Sequence, residues 1–409
     1  MRFVRNHVVL REIAFNRVSF FEIYYNQLVD NGIIDPRLAL GLLGAVLLLL
    51  IVQLYYYLGV YGRLPRYRNN RGIDPQTVPP PVSVIVVARE NSYYFIEHTL
   101  PLLLGQQYHQ YEVVVVDCSY DEEIGLLLNE AAAIYPHLRL TRINAQPNYE
   151  HSIKLAITVG IKAAAYEHMV FTTVDSYPTS ERWLSLMAKG FIGGNVVIGY
   201  CGIEIRKGFA NRMIRCNRLA TSVRYLAAAI RGRAYRGISH NIGYTKSLYF
   251  AHKGFNHLNM NIGDDDLFIQ TIATPTNVSI IMNPHATVRQ MQYGGLGWWH
   301  AMRKTLTYAF RYYPRGIRTS ISFELWSRML FFLTAIAAII LLPPWWKIIP
   351  ALFLLLRLLI VELKIWRIGK RLGERKLAGT YILYDLTSPL GECFLALSRR
   401  LRPNRAVWR

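Results

Sequence analysis

The sequence predicts an α/β domain between hydrophobic helices that are long enough to cross a membrane, and two patterns lead to that prediction. Between residues 82 and 174, apolar segments of strand length alternate with helical segments. This alternation is typical of a mostly parallel sheet covered by helices. The second pattern is residues 38–62, which contain no charged side chain. About 20 apolar residues are enough to cross a bilayer.

Composition and charge favour a membrane protein with a basic surface. Apolar residues make up 52% of the 409 residues, and the formal net charge is +21. The positive charges follow the hydrophobic segments and close the chain, so the positive-inside rule predicts that residues 63–324 and 364–409 are cytoplasmic. The sequence carries no groove-reading motif, so we expect membrane lipids, and no nucleic acid, as partners of this charge.

The same patterns divide the chain into six segments. They are an amphipathic N-terminal segment (1–37), a transmembrane helix (38–62), a linker (63–81), the α/β domain (82–310), a transmembrane helical hairpin (325–363) and a basic C-terminal segment (364–409). Arg357 interrupts the second apolar stretch of the hairpin. It extends to the headgroups, pairs inside the membrane, or serves as a functional cation facing the bundle interior.

Residues 377–397 are apolar enough to suggest another crossing. However, Asp385, Pro389 and Glu392 lie within this stretch, and a crossing would export the arginines that end the chain. We therefore expect the C-terminal segment to lie in the membrane interface or to re-enter the membrane without crossing it.

Charged residues follow three predicted strands, at the edge where mostly parallel sheets bind ligands. Arg89 and Glu90 follow the strand over residues 82–88, Asp117 follows residues 112–116, and Asp175 follows residues 169–174. No G-x-G-x-x-G or G-K-[ST] loop is present, which excludes a dinucleotide fold and a P-loop. A crevice that binds a nucleotide-sugar fits these charged residues better than either of those sites. One carboxylate there can bond a base or ribose, and another can hold a divalent metal that neutralises a leaving diphosphate.

Two further acidic features have a structural alternative. Asp264, Asp265 and Asp266 are consecutive, and adjacent carboxylates raise one another's pKa unless a cation, metal or proton compensates. The alternative is an acidic turn that caps a helix predicted over residues 267–274. Likewise, Asp121 either belongs to the crevice or caps the helix that follows it.

Taken together, these motifs resemble those of membrane-bound family 2 glycosyltransferases of the bacterial polysaccharide or glycolipid type, which have a GT-A catalytic domain. The resemblance extends from Leu38 to the end of the chain. It rests on residues 82–91 ("A-R-N-E", with the last two residues exchanged), 113–121 ("V-V-x-D-x-S-x-D"), 152–164 ("G-K-x-x-A-L"), 241–255 ("N-x-A-Y-R-K…G-F") and 263–267 ("[T/G]-E-D").

The resemblance implies a role for each matching residue. Ala88, Glu90, Asp117, Asp121 and Lys154 would bind the nucleotide, Asp175 would bind Mg²⁺ or Mn²⁺, and Asn241, Asp264, Asp266, Trp298 and Trp299 would lie on the acceptor side. Asp117 would contact the uracil, and Lys154 would lie near the diphosphate. Asp265 would be the general base that deprotonates the acceptor hydroxyl. The neighbouring Asp264 and Asp266 would raise its pKa toward the working pH.

The chain departs from the family pattern at two places. The metal motif D-x-D falls on residues 173–175, where Thr173 replaces the first acid, and a hydroxyl is a poor ligand for a hard divalent cation. The Q-x-x-R-W motif has no match near residues 298–306. The tryptophans and basic residues there either contact the acceptor or belong to an interfacial amphipathic helix.

The resemblance therefore implies an inverting transferase. It would move a sugar from a UDP-sugar to a lipid-linked or growing polysaccharide acceptor, as a multi-pass protein of the bacterial inner membrane with a cytoplasmic catalytic domain. Asp117, Asp175 and Asp265 favour this enzyme. Thr173 and the missing Q-x-x-R-W favour the alternative, a catalytically degenerate family member that acts as a scaffold or regulatory partner of an envelope glycan enzyme.

Overall fold

The computed structural model describes residues 35–68, 77–89, 92–119, 121–143, 153–255 and 264–401. The helices are α1 (Pro36–Leu54), α2 (Leu100–Leu104), α3 (Glu122–Ile134), α4 (Ile153–Ala163), α5 (Trp183–Ile192), α6 (Phe209–Ile230), α7 (Lys246–Ala251), α8 (Asp264–Ile272), α9 (Leu296–Leu306), α10 (Arg315–Leu341), α11 (Ile348–Arg371) and α12 (Thr380–Leu401). The strands are β1 (Val82–Ala88), β2 (Tyr111–Asp117), β3 (Leu138–Arg142), β4 (His168–Phe171), β5 (Ser176–Pro178), β6 (Val196–Ile198), β7 (Cys201–Ile203), β8 (Ile242–Thr245), β9 (Val278–Ile280) and β10 (Val288–Gln290). The described residues form two compact units, 35–59 with 322–361 and 60–321 with 362–401.

The larger unit is built on a seven-stranded sheet in the order β3-β2-β1-β4-β8-β6-β9. Strands β3, β2, β1 and β4 run parallel, and β8 is antiparallel to both β4 and β6. The predicted mostly parallel α/β sheet is thereby confirmed. The parallel pairing brings the carboxyl ends of β1, β2 and β4 to one edge of the sheet.

The close approach of α4 to this sheet depends on a glycine. A Cβ atom at Gly160 would lie 2.8 Å from Ile85 Cγ2 and 2.9 Å from Val116 Cγ2. Any larger side chain would push the helix away from β1 and β2, so this position favours glycine.

A second, three-stranded sheet in the order β5-β10-β7 lies in the same unit. Strand β10 is antiparallel to β5 and parallel to β7. Its last residue, Gln290, pairs with Ser176, and the next amide, Met291 N, donates to Asp175 O at 2.8 Å. This small sheet therefore fixes the loop that carries Asp175.

The smaller unit consists of helices. Buried apolar residues of α1 and α10, among them Val46, Leu50 and Phe331, share one core with partly buried residues of α11. A turn at residues 344–347 separates α10 from α11, within the hairpin that the sequence predicted over residues 325–363. Within the described residues, two helical segments are long and apolar enough to cross a membrane, Arg37–Arg66 and Arg315–Leu341.

Arg357 is fully buried in this helical unit. Its Nη2 donates to Gln53 Oε1 at 3.1 Å, and Gln53 Nε2 donates to Ser327 Oγ at 2.8 Å. The guanidinium also lies 4.6 Å from the ring centroid of Phe332. Of the three interpretations of Arg357, the structure matches the one in which the side chain pairs inside the bundle.

Several sequence predictions fall outside the described residues. They concern Glu90, Asn91, Ser152, Gly263, nearly all of the N-terminal segment (1–34), part of the linker (69–76) and the residues after 401.

Candidate active site

A cavity of about 390 Å³ lies at the carboxyl ends of β1 and β4. Apolar side chains form most of its wall, and its charged and polar side chains include Arg89, Thr173, Asp175, Ser239 and Asp265. Asp175 and Asp265 are 90 positions apart in the sequence, yet the fold brings both to this wall. Two of the predicted site residues, the metal ligand and the general base, thus share one cavity.

Asp175 is surrounded by hydrogen-bond donors. Thr173 Oγ1 donates to Oδ1 at 2.6 Å, Gln290 Nε2 donates to Oδ2 at 2.8 Å, and His240 Nε2 lies 3.4 Å from Oδ1. Burial alone would raise the pKa of this carboxyl. The interactions with His240, Thr173 and Gln290 together outweigh burial and hold the pKa of Asp175 below its ordinary value. Asp175 is therefore a charged carboxylate at neutral pH.

These residues fit a divalent cation that is shared with a substrate. Asp175 and Thr173 present oxygen atoms, and the buried Nδ1 of His240 has no hydrogen bond to another described residue. Among the described residues, no group of three or more His, Cys, Asp and Glu side chains could hold a metal by itself. Mg²⁺ is often held by one or two carboxylates together with substrate phosphates. A cation at Asp175 would therefore need oxygen atoms from a bound diphosphate.

The three consecutive acids begin helix α8. The helix starts at Asp264, three residues before the predicted start, so the acids form its first turn and do not precede it. Asp265 lines the cavity and accepts hydrogen bonds from Ser239. Burial raises the pKa of Asp265, against the effects of Ser239, His240 and Arg236. The pKa of Asp265 is raised, as the sequence predicted, but the main cause is burial and not the neighbouring carboxylates.

Asp266 is buried and does not line the cavity. Its Oδ2 accepts a hydrogen bond from the Tyr313 hydroxyl, and its Oδ1 lies 3.5 Å from Arg236 Nε. Burial raises the pKa of Asp266 to about 6, although Arg236 and Tyr313 oppose the shift. Asp266 thus contacts protein groups where the resemblance implied the acceptor side, and it fixes the helix that carries Asp265.

Asp117 ends β2 and is fully buried beside Ala88, its partner in the register of β1 and β2. Its Oδ1 accepts hydrogen bonds from Ser119 N at 2.9 Å and Ser119 Oγ at 2.6 Å. Its Oδ2 lies 3.4 Å from Arg142 Nε. Ala88 and Asp117 therefore lie together at the predicted edge of the sheet, but outside the residues that line the cavity.

Asp121 is the N-cap of α3, which is the structural alternative that the sequence allowed. Its Oδ1 accepts from Glu123 N at 3.0 Å, and its Oδ2 accepts from the Tyr93 hydroxyl at 2.5 Å. Lys154 is half-buried in the first turn of α4 and does not line the cavity either.

Three residues predicted for the acceptor side lie elsewhere in the unit. Asn241 is fully buried, with hydrogen bonds from Trp183 Nε1 at 3.0 Å and to the carbonyls of Tyr200 and Ala286 at 2.8 and 2.9 Å. Trp299 is buried in a cluster that Trp298 joins from a half-buried position. Its Nε1 donates to an amide oxygen of α6, so both tryptophans pack α9 against the core.

Sequence reasoning missed Ser239, His240 and Gln290. The first two directly precede the motif that begins at Asn241, so inspecting the residues before that motif would have found them. Gln290 carried no local signal, because it reaches Asp175 across 115 positions of the sequence.

No protein-family model matches the sequence, and no curated protein does. Among solved structures, the chain is similar to the mannosyltransferase PcManGT from Pyrobaculum calidifontis in complex with GDP-Man and Mn²⁺, with 19% identity and a TM-score of 0.52 over 86% of this chain and 99% of that one. It is also similar to S. aureus TarS 1-349 in complex with UDP-GlcNAc, with 14% identity and a TM-score of 0.39 over 76% of this chain and 92% of that one.

PcManGT is a mannosyltransferase, and the mixed α/β unit with its mostly parallel sheet has a fold similar to that of this enzyme. At this level of identity the similarity establishes the fold and not the reaction.

Proposed function

We propose that the protein is an inverting glycosyltransferase. It transfers a sugar from a UDP-sugar to a lipid-linked or growing polysaccharide acceptor at the cytoplasmic face of the bacterial inner membrane. The observation that carries the proposal is Asp265, a carboxylate with a raised pKa in the wall of the cavity that Asp175 also lines. Asp265 is half-buried and lines the cavity, whereas the neighbouring Asp266 is sealed in the core.

Asp265 acts as the general base. Its raised pKa brings it closer to neutral pH, where a base both accepts and releases a proton readily. It takes the proton of the acceptor hydroxyl as that oxygen attacks the anomeric carbon, and the nucleotide leaves from the opposite face of the sugar. The hydrogen bonds from Ser239 hold the carboxylate in place for this step.

The leaving diphosphate lies toward Asp175 and Arg89, which line the same cavity. Asp175, with Thr173 and His240, would hold a divalent cation, which when bound neutralises the charge of the diphosphate. The family resemblance assigns Ala88 and Asp117 to the base and Lys154 to the phosphates, although none of the three lines the cavity. Glu90 is assigned to the nucleotide site by the family resemblance alone.

The membrane location is supported by the two helical segments of sufficient length and apolarity. It is also supported by the basic residues that follow the first of them, which favour the cytoplasmic side.

Asp265→Asn tests the enzyme directly, since it keeps the shape of the side chain and loses the proton acceptor. We expect donor binding to persist while transfer falls by about 10²–10⁴-fold. The full chain in detergent would be assayed for nucleotide release from a panel of UDP-sugars and GDP-mannose, with and without Mn²⁺. The matched control is Asp121→Asn, which changes an acid that caps α3 outside the cavity.

Transfer at the wild-type rate in Asp265→Asn would refute the assignment of the base. The scaffold alternative predicts a different pattern. The wild type would release no nucleotide from any donor, and a strain with Asp265→Asn would keep its full envelope phenotype while truncation of the chain abolishes it.

A further inference from the structure

Helix α12 belongs to the larger unit, and the face that we call its inner face packs against α6 and α9. Asn217 Nδ2 of α6 donates to the Tyr384 hydroxyl at 3.0 Å, and Arg303 Nη2 of α9 donates to Glu392 Oε1 at 2.6 Å. Asp385, on the same helix, is fully buried. These polar contacts fix the rotation of α12 about its axis, and they therefore determine which residues face outward.

The outward residues form one apolar stripe, which we call the α12 outer face. It consists of Leu383, Leu386, Leu390, Phe394, Leu397 and Leu401, each 42–72% exposed. Their spacing of three or four residues places them along one side of the helix. The free thiol of Cys393 is exposed beside Phe394, three residues after Leu390.

The exposed charges near the α12 outer face are basic and lie at its two ends. Between Thr380 and Ser398, the charged side chains of the described helix are Asp385, which is buried, and Glu392, which pairs with Arg303. Exposed basic residues lie at both ends, Arg375 and Lys376 before the helix and Arg400 in its last turn. The sequence continues with Arg402, Arg405 and Arg409.

We propose that the α12 outer face binds an anionic lipid surface, with the helix lying flat at the headgroups. An apolar stripe with basic ends is suited to this position, because the stripe enters the acyl boundary while the arginines and lysine meet negative headgroups. A second copy of the chain fits less well. An antiparallel pairing of two stripes would place Arg400 of each copy near Arg375 of the other, and a parallel pairing would place each arginine beside itself.

This inference goes beyond sugar transfer and rests on the proposed membrane location. It also narrows the sequence prediction for residues 377–397, which allowed either an interfacial or a re-entrant segment. A re-entrant helix would be enclosed by lipid on more than one side, whereas the inner face of α12 is already covered by α6 and α9.

The native cysteines allow a direct test. Cys118, Cys201 and Cys216 are buried, so a nitroxide spin label added to the folded full chain should react at Cys393. The labelled protein would be reconstituted in phosphatidylcholine vesicles with and without phosphatidylglycerol. In the anionic vesicles we expect oxygen to relax the label several-fold more strongly than a water-soluble nickel chelate does. In the neutral vesicles this ratio should fall.

A matched control carries the label at an exposed apolar residue of α3, in a Cys393→Ala, Leu126→Cys chain. Leu126 is 64% exposed and is not part of an apolar stripe on α3. The nickel chelate should therefore relax this label more strongly than oxygen does in both kinds of vesicle. A label at Cys393 that favours the nickel chelate in anionic vesicles would overturn the proposal. Protection from both reagents would also overturn it and indicate a protein partner or a second copy. An equal ratio in the two vesicles would overturn the role of anionic lipid. Nucleotide release measured on the same vesicles reports separately on the proposed transferase.

Discussion

Two regions of the larger unit each hold a carboxylate among several hydrogen-bond donors, and the two carboxylates differ in the charge of those donors and in exposure. Glu374 accepts from Arg215 Nη2 at 2.5 Å, from the Tyr200 hydroxyl at 2.9 Å and from Arg289 Nη1, and its side chain is 1% exposed. Asp175 accepts from Thr173 and Gln290, and its side chain is 25% exposed. Consecutive residues of β10, Arg289 and Gln290, thus reach two different acids.

The difference separates a structural acid from an acid available to a ligand. Two guanidinium groups neutralise Glu374, whose side chain is closed off from solvent, so its hydrogen bonds serve to join the segment after α11 to β10. The hydroxyl and amide donors orient Asp175 without cancelling its charge. A charged carboxylate at a cavity wall keeps its attraction for a cation or for a donor group of a ligand.

The largest effect that would test this comparison is the loss of the Glu374 charge. Glu374→Gln leaves Arg215 and Arg289 buried without a counter-charge, and we expect the free energy of unfolding to fall by about 3–5 kcal/mol. Urea titration of the full chain in detergent measures it. The control is Glu392→Gln, which breaks a partly exposed pair with Arg303 and should cost at most about 1 kcal/mol. Equal losses in the two variants would mean that Glu374 is not a sealed structural acid.

Asp266 sharpens the comparison, because it is sealed like Glu374 but has a raised pKa. The pKa is about 6 in the folded chain against an ordinary 3.8. An acid with a raised folded pKa stabilises the fold below its unfolded pKa, and this contribution is lost as the pH rises through the folded value. The difference between these two pKa values corresponds to about 3 kcal/mol of stability.

We therefore expect the free energy of unfolding to decrease between about pH 4 and pH 7 through this group. Asp266→Asn should remove that part of the slope. Thermal unfolding of both proteins across this range measures the difference, and parallel pH profiles would contradict the assignment.

The smallest effect concerns the metal site proposed at Asp175. Without nucleotide, the wild type should bind Mn²⁺ weakly, because Thr173 adds a hydroxyl where an acid would add charge. Thr173→Asp should tighten binding by about tenfold, equivalent to about 1.4 kcal/mol, as seen by electron paramagnetic resonance of free Mn²⁺. Thr173→Ser, which keeps the hydroxyl, is the control. Tight Mn²⁺ binding by the nucleotide-free wild type would contradict this description of Asp175.

Local sequence patterns predicted the course of the backbone better than they predicted which side chains are in contact. The strand predicted over residues 82–88 has the observed bounds of β1, because a continuous apolar run reports burial on both faces of a sheet. Asp121 could be read two ways, since an acid before a helix suits either a cap or a crevice. The contact between Gln290 and Asp175 could not be predicted, because it depends on the packing of β10 against β5, far along the chain.

The short strand β10 carries a further consequence for how the protein tolerates change. With only three residues, it holds its position through its pairing with β5 and β7. If β10 slipped by one residue so that Arg289 took the place of Gln290, a guanidinium would meet Asp175 and Glu374 would lose one of its two cations. The same slip would loosen the join between β10 and the segment after α11, and it would cancel the charge at the cavity wall. A one-residue insertion between β9 and β10 is therefore more damaging than a longer insertion in an exposed loop, because β10 couples the fold to the site through a single register.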